Sequence, residues 1–220
     1  MKAVEELIKN SLKELKKIAC ENQEPSKDQR SKLIFPQYCG GKQKGEKRIS
    51  EQEARLLFIQ ELEKQEVYYY SVETPTKKSY KDFSTNEPKI GEKDGRSASV
   101  DVTLYTKVND KFSRKHLIEF KFGNVKTCKK DFLKLLFDTD GLENYYINIV
   151  EREDIFKRNT LESIEEKYQS AIKELNEVAC ENYSTLNIIL FELNKSQMIV
   201  FNKIMLKKNI KIEIEKSEKL

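Results

Sequence analysis

Two short runs of alternating residues constrain this chain more than any other feature. In residues 99–105, Val100, Val102 and Leu104 fall on one side of an extended strand and Asp101, Thr103 and Tyr105 on the other. In residues 117–122, Ile118, Phe120 and Phe122 share one side, which leaves Glu119 and Lys121 together on the opposite one. Pairing the two runs as neighbours brings two carboxylates and an ammonium onto one sheet face. Hard divalent cations take oxygen ligands of that kind.

Length allows one good core with at most a small appended piece. The expected organisation is an amphipathic helix over 1–22, a linker or loop over 23–49 and an α/β domain over 50–220. The 41 basic and 37 acidic side chains leave a net charge of only +4, so recognition of a polyanion must rest on local clusters. A charged fraction of 35% and a mean hydropathy of −0.71 come with no apolar run near the ~20 residues that span a bilayer. No membrane segment is expected. Lys and Glu interrupt the apolar positions of 1–22, unlike a secretory signal. Cys20, Cys39, Cys128 and Cys180 are far apart with no Cys-x-x-Cys pair, which fits free thiols in a reducing compartment and a cytoplasmic location. His116 is the single histidine, so His-rich metal sites are excluded while carboxylate chemistry stays open.

Periodicity supplies the other elements. Val4, Leu7, Ile8, Leu12, Leu15, Ile18 and Ala19 recur at helical spacing. Ser50 followed by Glu53 is a capping-box pattern ahead of the stripe Ala54, Leu57, Phe58 and Leu62, predicting a helix over 51–65. A strand is expected over 67–72, then a long polar loop over 74–97 of a length that suggests function or mobility. After the Glu-x-Lys strand come a short helix carrying Cys128, Phe132, Leu135 and Leu136, a strand over 145–150, and a helix marked by Leu161, Ile164, Tyr168, Ala171, Ile172, Leu175 and Val178. Residues 186–193 and 197–201 read as a hairpin, and Ile210, Ile212 and Ile214 as an edge strand. Hairpin and crossover connections together predict an α/β fold with a mixed sheet.

A helix bearing an acidic residue, a strand, a long loop, a strand with Asp101, a hairpin, and a strand ending in Glu119-Phe120-Lys121 before a helix resembles the PD-(D/E)XK, or restriction-endonuclease-like, nuclease superfamily. The likeness covers residues 48–137 and rests on element order as much as on letters. It implies a central mixed sheet flanked by helices, Asp101 and Glu119 as ligands of Mg2+ or Mn2+, Lys121 as the catalytic lysine, and Glu53 as an accessory catalytic carboxylate, with Glu51 the other candidate. Val100 stands where the family's nominal proline would be, and a capping box accounts for Glu53 without catalysis. The implied activity is metal-dependent hydrolysis of phosphodiester bonds, with DNA as the expected partner and a homodimer expected for cleavage of both strands. The alternative is a non-catalytic module that keeps the fold and binds nucleic acid or protein.

The same residues admit a physical account. Neighbouring carboxylates repel unless a cation neutralises them, a metal lowers the pKa of its bound water, and Lys121 would stabilise charge growing at phosphorus. A cross-strand charge set worth ~1 kcal/mol or less is the plain reading beside it. Lys126, Lys129, Lys130 and Lys134 would lie opposite the apolar stripe of their helix and could receive a nucleic-acid backbone; a solvated helix face explains them equally well. Lys77, Lys78, Tyr80 and Lys81 read as a plain polar loop, and His116 as a surface hairpin histidine.

Overall fold

A computed structural model of the chain describes residues 2–20, 31–81, 89–90, 95–123, 128–138, 142–151, 161–176, 184–206 and 211–220. Its elements in chain order are α1 (Lys2–Cys20), α2 (Glu51–Leu62), β1 (Tyr69–Lys81), β2 (Lys89–Ile90), β3 (Arg96–Val108), β4 (Lys111–Phe122), α3 (Cys128–Phe137), β5 (Glu143–Val150), α4 (Leu161–Leu175), β6 (Thr185–Glu192), β7 (Gln197–Phe201) and β8 (Ile214–Lys219). The strands form one mixed sheet in the order β2-β1-β3-β4-β5-β6-β7-β8, with the two-residue β2 at one edge. The fold is therefore α/β, as expected.

Antiparallel pairing joins β1, β3 and β4. Two residues, Asn109 and Asp110, connect β3 to β4, both at positive φ (48° and 60°). This is the twist that suits a two-residue hairpin and that Asn and Asp tolerate. The β4–β5 and β5–β6 pairs are parallel, so each needs a crossover, supplied by α3 and α4. Both helices lie on one face because successive crossovers step across the sheet in one direction with one hand.

Helices cover both faces, and side-chain alternation sends residues to each. Val4, Ile8, Leu12, Leu15 and Ile18 of α1 pack with Ala54, Leu57 and Phe58 of α2 against Val102, Leu104, Ile118, Phe120, Ile147, Ile149, Ile189 and Phe191. On the other face Phe132, Leu135, Leu136, Ile164, Tyr168 and Ile172 of α3 and α4 cover Leu117, Tyr146, Ile188 and Leu190. The N-terminal helix thus contributes to the core. The described part of the segment after it is tied down as well: Ser31 N–H donates to Glu14 Oε1 at 2.9 Å, and Phe35 is buried in the same cluster as α1.

Three boundaries differ from expectation. Helix α2 stops at Leu62, three residues early. The described part of the polar segment 74–97 is largely strand, since β1 runs on to Lys81 and β3 begins at Arg96; residues 82–88 and 91–94 lie outside it. Pro75 is accommodated because β1 is an edge strand along most of its length, paired on its outer side by β2 at Tyr80 and Lys81. The register slips between Pro75 and Ser79, so the pattern there alternates poorly. The last strand starts at Ile214, where the alternating isoleucines end, and Ile212 is buried in the α3–α4 cluster instead.

Phe58, with no exposed surface, meets Phe120 at a ring distance of 5.7 Å, fixing α2 to the strand that carries Glu119. Phe58→Ala is expected to cost about 3–5 kcal/mol in urea unfolding. A loss under about 1 kcal/mol would show that α2 is held some other way.

Candidate functional site

Strands β3 and β4 part company at one end, and the polar residues gather in the gap. The last register pair is Val102 with Ile118. Beyond it, the Asp101 carboxylate takes over the ladder: its Oδ2 accepts the Phe120 N–H at 2.8 Å. The alternation of β3 breaks here too, because Val102 belongs to the α1–α2 core and Val100 to the α3–α4 core. Asp101 Oδ1 lies 3.4 Å from the Arg55 guanidinium of α2. Arg55 also pairs with Glu73, which has a left-handed backbone (φ 47°) and accepts a hydrogen bond from Ser99 Oγ at 3.0 Å. Burial pushes the Asp101 carboxyl up from its ordinary range against the pull of the Phe120 N–H and Arg55. The Arg55 hydrogen bond holds Glu73 below its ordinary range.

Glu119 faces α3. It is 5% exposed and forms an ion pair with Lys134, whose Nζ also donates to Ser99 O at 2.9 Å and lies 3.2 Å from Asp131 Oδ1. Burial raises the Glu119 carboxyl well above the usual range, opposed by Lys134, and the charge of Asp101 adds to the rise. Burial works against the charge of Lys134, but Glu119 and Asp131 outweigh it and keep the ammonium above the ordinary lysine range. The charges of Asp101 and Glu119 reach each other, but not by sharing one sheet face as expected: the break in the alternation of β3 turns Asp101 to Arg55 of α2, while Glu119 faces Lys134 of α3.

Lys121 emerges further along β4, with its Nζ 3.6 Å from Glu51 Oε2. The charge of Glu51 in turn raises Asp101. Of the two helix glutamates, Glu51 therefore lies beside the site. Glu53 is turned to the start of α2, where it bonds the Ser50 hydroxyl and pairs with Arg48 at 3.0 Å. Ser50 Oγ accepts the Gln52 N–H at 3.3 Å, so Ser50 caps the helix as its position implies, while Glu53 bonds the Ser50 hydroxyl.

The expected basic face of α3 is corrected by the structure. Lys134 is buried rather than outward, and Lys129 pairs with Glu174 of α4. Lys130 is half-buried, and Lys126 lies outside the described residues. The reason is tertiary: α3 is wedged between the sheet and α4, so Leu133 and Phe137, flanking the stripe, are buried too. Tyr80 is likewise core rather than loop, and the Lys78 N–H donates to the buried Asp138 at 2.9 Å. Sequence reasoning missed Arg55, Glu73, Asp131 and the inward turn of Lys134. The spacing of Asp131 and Lys134, three residues apart on a helix, was the one available signal.

Asp101, Glu119, Asp131 and the Ser99 carbonyl are hard oxygen donors suited in kind to a divalent ion. In position they are not: among the described residues no three His, Cys, Asp or Glu side chains are arranged to hold a metal, and the Lys134 ammonium sits among the oxygens. A separate groove of about 380 Å³ lies between α1 and β5–β7, lined by Glu5, Lys9, Tyr145, Asn187 and Lys216. It is remote from these carboxylates, and its cations are paired internally, Lys9 with Glu218 at 2.9 Å and Lys216 with Glu5 at 3.8 Å.

His116 is half-buried. Its ring packs edge-on against Tyr68 and Tyr145 at 5.6 and 5.7 Å, with Nδ1 2.6 Å from Glu143 O. Burial moves its pKa below 6.5, opposed by that carbonyl. As pH falls the unfolded chain therefore takes up this proton first, and the stability contributed by the neutral ring is full above 6.5 and lost below it. His116→Phe, which keeps the aromatic contacts, is expected to lose less stability than wild type between pH 7 and pH 5 in urea midpoints; identical slopes would contradict this. No protein-family model matches the chain, and comparison with curated proteins and with solved structures returns no similar protein.

Proposed function

We propose that this protein is a metal-dependent nuclease of the PD-(D/E)XK type, hydrolysing phosphodiester bonds in DNA. The observation that carries the proposal is the Asp101 carboxylate bonded to the Phe120 N–H, next to Glu119, where β3 and β4 separate, with the Lys121–Glu51 pair nearby. Element order supports it: α2 precedes the antiparallel strands β1, β3 and β4, and α3 then crosses to the parallel strand β5, the order by which the chain resembles restriction-endonuclease-like folds.

In this reading Asp101 and Glu119 are the central acidic pair and Mg2+ or Mn2+ is the required ion. The chain's own groups have definable tasks. Lys121 is 29% exposed, enough to meet a phosphate oxygen and stabilise its growing charge as a compact ammonium. Glu51, more exposed still, orients that ammonium. Arg55 holds Asp101 and Glu73 in place and gives the gap between the strands a fixed cation. Recognition of the nucleic-acid backbone rests on groups other than Lys134, and a homodimer would serve cleavage of a duplex.

One observation favours a second reading. Both central carboxylates already have an internal cation, Arg55 for Asp101 and Lys134 for Glu119, as in a module that keeps the fold and binds nucleic acid or protein without cleaving. The two readings separate in an assay of supercoiled plasmid, single-stranded DNA and RNA with Mg2+ or Mn2+. Wild type is expected to cleave at least one substrate, and Asp101→Ala to be slower by at least about 100-fold, or ~2.7 kcal/mol, with unchanged circular dichroism. Cleavage at the wild-type rate by Asp101→Ala would rule out the nuclease assignment. Binding of a substrate without cleavage at any metal concentration would favour the module.

A further inference from the structure

We infer that the Lys134 ammonium is a tethered cation that holds the place of a divalent ion between β3, β4 and α3, so that the site is closed to metal until this lysine leaves it. The inference deepens the nuclease reading and rests on the carboxylate site proposed there, but not on hydrolysis. Three elements supply the surroundings of Nζ. Glu119 comes from β4, the Ser99 carbonyl from β3 and Asp131 from α3 itself. Two carboxylates and a backbone carbonyl are the oxygen set that Mg2+ and Mn2+ accept, and an ammonium presents three N–H donors to match them.

Charge points the same way. Lys134 leaves one of the two negative charges of Glu119 and Asp131 uncompensated, whereas a divalent ion in its stead would balance both. A buried lysine is costly unless it is paired and hydrogen-bonded, and Glu119, Asp131 and the Ser99 carbonyl, which bond this one, are groups that would otherwise be ligands. Ion and ammonium cannot share the same oxygens. A second feature is independent of the lysine: Tyr146, the register partner of Glu119 on β5, has a buried hydroxyl without a hydrogen-bond partner among the described residues. The charges of Asp131 and Glu119 reach it. Magnesium-type ions retain water, and such a water would supply the partner that the hydroxyl lacks.

The test uses the full chain and Mn2+ alone, followed by calorimetry and by the electron paramagnetic resonance of the free ion. Wild type and Glu119→Gln are expected to bind Mn2+ weakly and alike. Lys134→Met, close in shape and without charge, is expected to bind one ion at least about tenfold tighter, and the double variant Lys134→Met with Glu119→Gln to lose that gain. An unchanged affinity in Lys134→Met, or a gain that survives in the double variant, overturns the inference, as does wild-type binding that already depends on Glu119. If Lys134→Met unfolds because Glu119 is left unpaired, recovery of its circular dichroism with Mn2+ supports the inference. Failure to recover while the double variant is folded overturns it. Cleavage reports on the other proposal: a Mn2+ gain in Lys134→Met with no cleavage by any variant sinks the nuclease reading and leaves the tethered cation standing.

Discussion

The ion pair between Glu119 and Lys134 is the constraint around which this molecule is arranged. A carboxylate facing inward from a central strand, under a helix, needs a partner, since an uncompensated buried charge costs several kcal/mol. Lys134 supplies it from above, and the same ammonium reaches the Ser99 carbonyl on the neighbouring strand. Sheet and helix are thereby pinned at the point where β3 and β4 have stopped pairing. Without that link the parted strands would expose backbone groups that no ladder satisfies.

Asp101 solves the matching problem on the other strand. Its carboxylate accepts the Phe120 N–H that has no ladder partner on β3, and Arg55 of α2 balances its charge. The gap is thus held open by polar side chains, with one cation from each face of the sheet. Burial raises both Asp101 and Glu119, so their ionisation subtracts stability as pH climbs out of the acid range.

Much of this was legible in the residues. The period of two identified the strands that carry Asp101 and Glu119, though the break between Val100 and Val102 turned Asp101 away from the face that regular alternation predicts, and the helices α1, α2 and α4 followed from apolar stripes broad enough to read. The poorly read stretches have specific causes. Residues 74–81 carry a proline and a register slip on an edge strand, so no alternation marks them. Lys134 sits in a helix whose stripe fits either a half-exposed or a fully wedged position, and spacing alone cannot tell these apart. His116 resembled a hairpin residue because the aromatic rings that enclose it, Tyr68 and Tyr145, are distant in sequence.

By itself, then, the sequence determined the α/β class, the hairpin of β3 and β4 and the presence of two acidic side chains on its inner stretch, since local periodicity and turn chemistry act over a few neighbouring residues. The tertiary structure alone decided which charges meet them. Arg55 to Asp101 and Lys134 to Glu119 are contacts across 46 and 15 positions. They depend on how α2 and α3 dock on opposite faces of the sheet, and docking is set by the whole core rather than by any one segment. Packing likewise gives Glu51 and Glu53 different surroundings: both begin one helix, but Glu53 turns to its own cap and Glu51 lies beside Lys121.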